Sequence, residues 1–261
     1  MKRYDIARPI GLATPCSEIE RTCSNAHLYK RCGLRPKHYI IPLDAGSGRT
    51  TLLEYMAVRY KAAGVLRFTS GLDDYIEIAL DGSLQQLRQA FAAIDSAAVY
   101  TNDYCNMIGM DISGIAAHLG ETQLSEFMKH CRRVCEHACV VFFVHTAPSR
   151  NEEKLLEKLC ETVDNIKRLE VEPYSKEDLC DLIVKMVGEH GIRIRHEPIF
   201  RAALAAMVSD FRIAGVKDAI AAADALVHFA DFTGFTPAVD EDSLKSMITS
   251  WHNAPERSEV K

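Results

Sequence analysis

Five short β-prone runs recur along residues 38–172: HYIIPL (38–43), DYIEIAL (74–80), AAVYTN (97–102), CVVFFVH (139–145) and IKRLEVE (166–172). Helical patterns separate them: TTLLEYMAVRYKAA, SLQQLRQAFAAI, ETQLSEFMKHCRRVCEH and NEEKLLEKLCETV. Leu84, Leu87 and Phe91 are spaced i, i+3, i+7. Leu124, Phe127, Met128 and Cys131 are spaced i, i+3, i+4, i+7, which marks one apolar helical face in each case. Strands alternating with helices predict a parallel sheet sandwiched by helices on both faces. CVVFFV is apolar throughout and reads as a central strand of that sheet.

The pattern changes after Pro173. Four helical stretches follow with no strand expected among them: SKEDLCDLIVKMVGEHG, EPIFRAALAAMVSDF, AGVKDAIAAADALVHFADF and DEDSLKSMITSWHN. Ser175 with Asp178 three residues on resembles a capping box, and Gly191 is a helix stop. Leu244, Met247, Ile248 and Trp251 again fall on one face. The expected organisation is an α/β core over residues 1–172, with an N-terminal helical segment, and a small all-α domain over 173–261.

Composition narrows the class. The chain has 261 residues, 48% of them hydrophobic, enough for a large core. No apolar run reaches the roughly 18 residues of a membrane span, and the N-terminus lacks the apolar stretch of a signal peptide. Nine cysteines, an odd number scattered over helices and strands, read as reduced thiols. A cytoplasmic protein with no membrane partner is expected. The net charge of −5 is uneven: residues 1–40 hold eight Lys/Arg against three Asp/Glu, leaving 23 against 33 in the remainder. Lys30, Arg31, Arg35 and Lys37 cluster before residue 40. They read first as a helix end suited to the macrodipole, and second as an attraction for nucleotide or nucleic-acid phosphates. An acidic whole does not favour nucleic acid as the partner.

The densest chemistry lies in LDAGSGRTT (43–51), a glycine-rich turn between a strand and a helix. Backbone N–H groups turned inward at a helix N-terminus form an anion cradle, and glycines permit that turn. Gly46 and Gly48 are placed for it, Ser47 between them is small, and Thr50 offers a hydroxyl to Mg²⁺. Two positions depart from the usual loop: Leu43 stands at the first glycine and Arg49 at the lysine. Arginine keeps the charge, but its planar fork cannot imitate a compact ammonium. Elsewhere, HCRRVCEHAC sets Cys131, Cys135 and Cys139 at helical spacing near His130 and His137. Zinc is one reading; small hydrophobes on the inner face of a helix is the preferred one. Asp73 and Asp74 read as a solvated turn, and His145 as a strand-end residue.

Order and spacing of these segments resemble the AAA+ ATPases over nearly the whole chain. RPIGLATPCSEIERTC is similar to the segment in which an apolar–Gly–apolar turn, here Ile10, Gly11 and Leu12, contacts adenine. LDAGSGRTT resembles the Walker A loop, AAVYTNDY the Walker B strand, and VVFFVHTAPS the sensor 1 strand, with Thr146 or His145 as its polar residue. RIAGVKDAIAAADAL resembles the sensor 2 helix, with Lys217 where arginine is usual. VEPYSKEDLCDLIVKMVGEHGI is similar to the strand-to-lid crossing of the rubisco activase-like and Clp-type branch.

The resemblance implies strand order 5-1-4-3-2, a helical lid, bound ATP and Mg²⁺, and assembly with copies of itself or a protein partner. It places Gly46, Ser47, Gly48, Arg49, Thr50 and Thr51 on the phosphates and Lys217 in the lid. Thr50, Asn102 and Asp103 fall at the metal, and Asp103, Asn102 and Thr146 at the catalytic positions. Walker B usually ends in Asp-Glu, the Asp orienting Mg²⁺ and the Glu activating water; here the aligned pair is Asn102 and Asp103. Only Arg168 or Arg150 is available as a trans-acting arginine. The expected function is therefore ATP binding with weak or absent hydrolysis. The alternative is a nucleotide-free pseudo-ATPase that serves as an interaction scaffold.

Overall fold

The computed structural model describes residues 6–66, 75–79, 92, 106–211, 213–234 and 236–253. The chain divides into two compact units, Met1–Glu172 and Pro173–Lys261.

In the first unit α1 (Ala13–Ser24) and α2 (Ala26–Cys32) precede β1 (His38–Pro42), and α3 (Arg49–Ala63) follows it. Next come β2 (Tyr75–Ala79), β3 (Asn106–Asp111), α4 (Glu121–Cys135), β4 (Ala138–Val144), α5 (Arg150–Thr162) and β5 (Ile166–Arg168). The five strands form one parallel sheet in the order β2-β3-β4-β1-β5. Read from the other edge this is 5-1-4-3-2, the expected order. β4 is buried along its whole length, as its unbroken apolar run requires. Alternate residues then face opposite layers. Ile40, Ile108, Met110, Val140, Phe142 and Val144 pack with Phe127, Cys131 and Val134 of α4 and Leu155, Leu156 and Leu159 of α5. On the opposite face the Tyr39 hydroxyl lies 3.3 Å from that of Tyr60 in α3 and 3.4 Å from the Thr22 hydroxyl of α1.

One element differs from expectation and matters for the site. The AAVYTN run and the SLQQLRQAFAAI helix fall outside the described residues (residue 92 alone excepted). The strand seated beside β4 is NMIGMD, Asn106–Asp111. Its Met, Asn and central Gly give it little β propensity, but tertiary packing needs Gly109. A Cβ there would meet Leu53 Cδ1 at 2.2 Å, so the glycine lets α3 lie close on the sheet.

The second unit holds α6 (Lys176–Glu189), α7 (Glu197–Asp210), α8 (Val216–His228) and α9 (Glu241–Asn253). The Ser175 hydroxyl accepts from the Asp178 N–H at 3.1 Å, and the Asp178 carboxylate accepts from the Ser175 N–H at 2.9 Å, completing the capping box. Gly191, at φ 73°, ends the run. The helices close on Ile183, Val187, Phe200, Leu204, Ala222, Leu226 and Leu244, with Phe211 and Trp251 edge to face at 5.3 Å. The expectation of a strand-free unit is corrected: β6 (Arg193–Ile194) pairs in parallel with β7 (Ala238–Val239). Two-residue strands are too short to leave an alternation in the sequence.

Candidate phosphate-binding site

Parallel strands bring their C-terminal ends to one edge of a sheet, where ligands of open α/β folds bind. β1, β3 and β4 are neighbours there, with Pro42 opposite Val144 and Asp111 opposite Phe143. That register gathers the 43–48 turn, Asp111 and the His145–Thr146 pair along one line.

The turn has the backbone of an anion cradle. Gly46 and Gly48 have φ of 81° and 91°, values open to glycine at little strain, and Gly48 is the N-cap of the 15-residue α3. Leu43 has no such need. It continues β1, donates its N–H to the Val144 carbonyl at 2.9 Å and buries its side chain to 1% exposure. A leucine at the first glycine position therefore serves the core without spoiling the turn. Thr51 is exposed, and the Thr50 hydroxyl donates to Glu77 of β2 at 3.2 Å.

Arg49 turns back into the protein and is only 9% exposed. Its Nε donates to the Leu43 carbonyl, its Nη1 pairs with Asp111 Oδ2, and its guanidinium lies 5.4 Å from the Phe143 ring centre. Nη2 is buried with no hydrogen-bond partner. Asp111 is engaged on both oxygens, because Oδ1 accepts from the Ser113 N–H at 3.0 Å and from its hydroxyl at 2.6 Å. The next residue, Ile112, is fully buried and its N–H extends the ladder to the Phe143 carbonyl at 3.0 Å.

Thr146 and Asp44 bridge the turn to the end of β4. The Thr146 hydroxyl donates to Asp44 Oδ2 at 2.6 Å and its N–H to Oδ1 at 3.3 Å. Those bonds, the hydroxyl first, hold the Asp44 carboxyl below the usual carboxylate range. His145 Nδ1 lies 2.7 Å from Glu152 Oε1. Burial opposes ionisation of Glu152, but hydrogen bonds from the Ser149 backbone and from His145 outweigh it, so its pKa lies below normal.

Of the residues expected here, Gly46, Ser47, Gly48, Arg49, Thr50, Thr51 and Thr146 fall on this edge. Asn102 and Asp103 lie outside the described residues. The carboxylate at the end of β3 is Asp111, which the sequence reading missed; an Asp closing MIGM was the available signal. Ile10 and Gly11 form the turn before α1, with Gly11 at φ 71°. Lys217 is exposed near the start of α8 in the second unit.

Lys37 abuts the start of β1, a strand of five residues away from the turn, or about 16 Å. Arg168 donates to Glu153 through both terminal nitrogens at 3.2 Å. Cys131, Cys135 and Cys139 are core residues at 6% exposure or less, with burial pushing their thiols up, Cys139 to about 12. They fill volume as small hydrophobes.

Among the described residues, the set suits phosphate better than a divalent ion. A positive-φ turn and an unpartnered buried N–H both seek an anion, whereas the Asp111 carboxylate is already covered by a guanidinium and by Ser113.

No family model and no curated protein matches the sequence. Solved structures do. A point mutant of Thermotoga maritima RuvB aligns at a TM-score of 0.57 and 14% identity, over 93% of this chain and 70% of that one. The T. maritima RuvB Holliday junction branch migration motor aligns at 0.55 and 14% identity, over 90% and 68%. C. elegans PCH-2 aligns at 0.55 and 11% identity, over 90% and 67%. Both proteins are AAA+ ATPases, and the chain has the fold of the AAA+ P-loop NTPase superfamily.

Proposed function

We propose that this chain is an AAA+-type ATP-binding module that hydrolyses its nucleotide slowly or not at all. Nucleotide occupancy controls its self-assembly or its hold on a protein partner. Binding is supported by the left-handed glycines at the head of α3, placed after the first strand of the sheet. Weak hydrolysis is carried by one observation: the residue after Asp111, where the family has its water-activating Glu, is the buried Ile112. Arg168 is paired within its own chain to Glu153, which leaves it poorly placed to act in trans.

Calorimetry with ATP should show binding of micromolar order or weaker, about −8 kcal/mol or less favourable. Phosphate release on the same sample should run well below about 1 s⁻¹. Turnover at or above that rate defeats the reading. The Arg49–Asp111 pair favours a second reading, the nucleotide-free scaffold, because the loop's cation is already matched. Absence of both binding heat and a thermal shift with ATP would select it.

A further inference from the structure

AAA+ proteins hold ATP with Mg²⁺ between the loop threonine and the carboxylate that ends β3. The geometry points to a different arrangement in this chain: the Arg49 guanidinium takes the place of the divalent cation, and nucleotide phosphates bind without a metal. This rests on the reading of the turn as a nucleotide site.

Three observations carry it. A carboxylate offers about four acceptor positions, and Asp111 uses three of them on Arg49 Nη1, the Ser113 N–H and the Ser113 hydroxyl. The partner on that carboxylate is a guanidinium, whose planar fork suits a carboxylate. A divalent ion approaching Asp111 meets a covered charge and a like charge in contact with it. The ion's other expected ligand, the Thr50 hydroxyl, donates to Glu77.

The third observation points to the ligand. Arg49 Nη2 is a charged donor, buried and without a partner, on a side chain nine-tenths buried. Such a group demands an acceptor. The side chain belongs to the first residue of α3, immediately after Gly48. A phosphate oxygen seated in the turn is the acceptor whose chemistry fits a guanidinium. With no metal bridging the β- and γ-phosphates, the γ-phosphate adds little, so a diphosphate binds about as well as a triphosphate.

The test is titration of the full chain with ATP and with ADP, in excess Mg²⁺ and in EDTA. The expected result is affinities that agree within about threefold, or about 0.7 kcal/mol, across all four conditions. A tenfold or greater gain with Mg²⁺ overturns the inference and leaves the nucleotide reading standing. No binding in any condition ends both. In Arg49→Lys the fork is lost and Asp111 is freed, so Mg²⁺ should tighten ATP at least tenfold. A variant that folds and stays indifferent to Mg²⁺ would remove Arg49 as the cause. If Arg49→Lys does not melt cooperatively, the wild-type comparison still decides.

Discussion

The two ends of the central sheet both bury charge, and they treat it differently. At the N-terminal end, Glu18 of α1 is 7% exposed and surrounded by cations. Arg21 donates to it at 2.6 Å, Lys167 at 2.9 Å, and Lys37 stands 4.0 Å away. Burial opposes its ionisation, but Arg21 and Lys167 outweigh it and keep it a carboxylate. Nearby, His38 is 4% exposed and accepts the Val140 N–H through Nδ1 at 3.2 Å. At the C-terminal end the buried cation is Arg49, with one carboxylate partner and its Nη2 group left over. A satisfied network holds a fold together, whereas the unpartnered Arg49 Nη2 beside the glycine-rich turn has use for an acceptor from outside the chain.

The contrast can be broken most forcefully at Asp111. Replacing it by Ala strands the guanidinium in the interior, and stability should fall by about 3–5 kcal/mol in urea melts. Arg49→Met combined with Asp111→Ala should recover much of that loss, because removing both charges leaves nothing uncompensated. If the double variant is no more stable than Asp111→Ala alone, the pair is a structural brace like the Glu18 cluster and the contrast fails.

His38 sharpens the other end through pH. Burial, with Arg35 beside it, lowers its pKa from 6.5 to about 4. Between those values the unfolded chain binds the proton and the folded chain does not, so stability falls as pH drops through this window. The full effect is about 3 kcal/mol. His38→Asn keeps an acceptor for Val140 and cannot titrate, so its stability should be flatter from pH 6.5 to 4. An equally steep variant would assign the slope to other groups.

Gly109 lies on the strand that joins the two ends. An added methyl meets Leu53, which is fully buried and has little room to yield. Gly109→Ala should cost about 1–3 kcal/mol by overpacking, and Leu53→Ala in the same chain should relieve part of it. Additive losses would mean that α3 does not press on the sheet there. The smallest effect is a reference in the second unit: Ser175→Ala removes the cap of α6 and should cost about 1 kcal/mol, leaving nucleotide affinity unchanged.

Most of the fold could be read from the chain, and the failures have physical causes. β4 is a continuous apolar run, β1 is apolar after His38, and α4, α5 and α6 carry clean helical stripes, so periodicity finds them. β3 hides because its sequence answers to a neighbour: Gly109 is dictated by Leu53 and looks locally like a break. Missing β3 left Asp111 unnoticed, and the expected Asn102 and Asp103 lie outside the described residues. The glycine-rich turn was legible because left-handed φ values demand a residue type. The direction taken by Arg49 was not, since nothing in the sequence says that a side chain at the head of a helix folds back beneath it. Departures at Leu43 and Arg49 were visible as departures; only the fold shows that one is core and the other an ion pair.

The β6–β7 pair bears on how the second unit folds. Its residues, Arg193 and Ala238, lie 45 positions apart, with α7 and α8 between them. Helices nucleate from local contacts within microseconds or less, whereas a parallel pairing must wait until the intervening chain has been arranged. Ala238 also bonds Asp231 on its other side, its N–H to the Asp231 carbonyl at 3.1 Å and its carbonyl to the Asp231 N–H at 2.7 Å. The small ribbon is thus the clasp of a helical bundle: it links the end of α6 to the start of α9 through contacts that local helix formation does not supply.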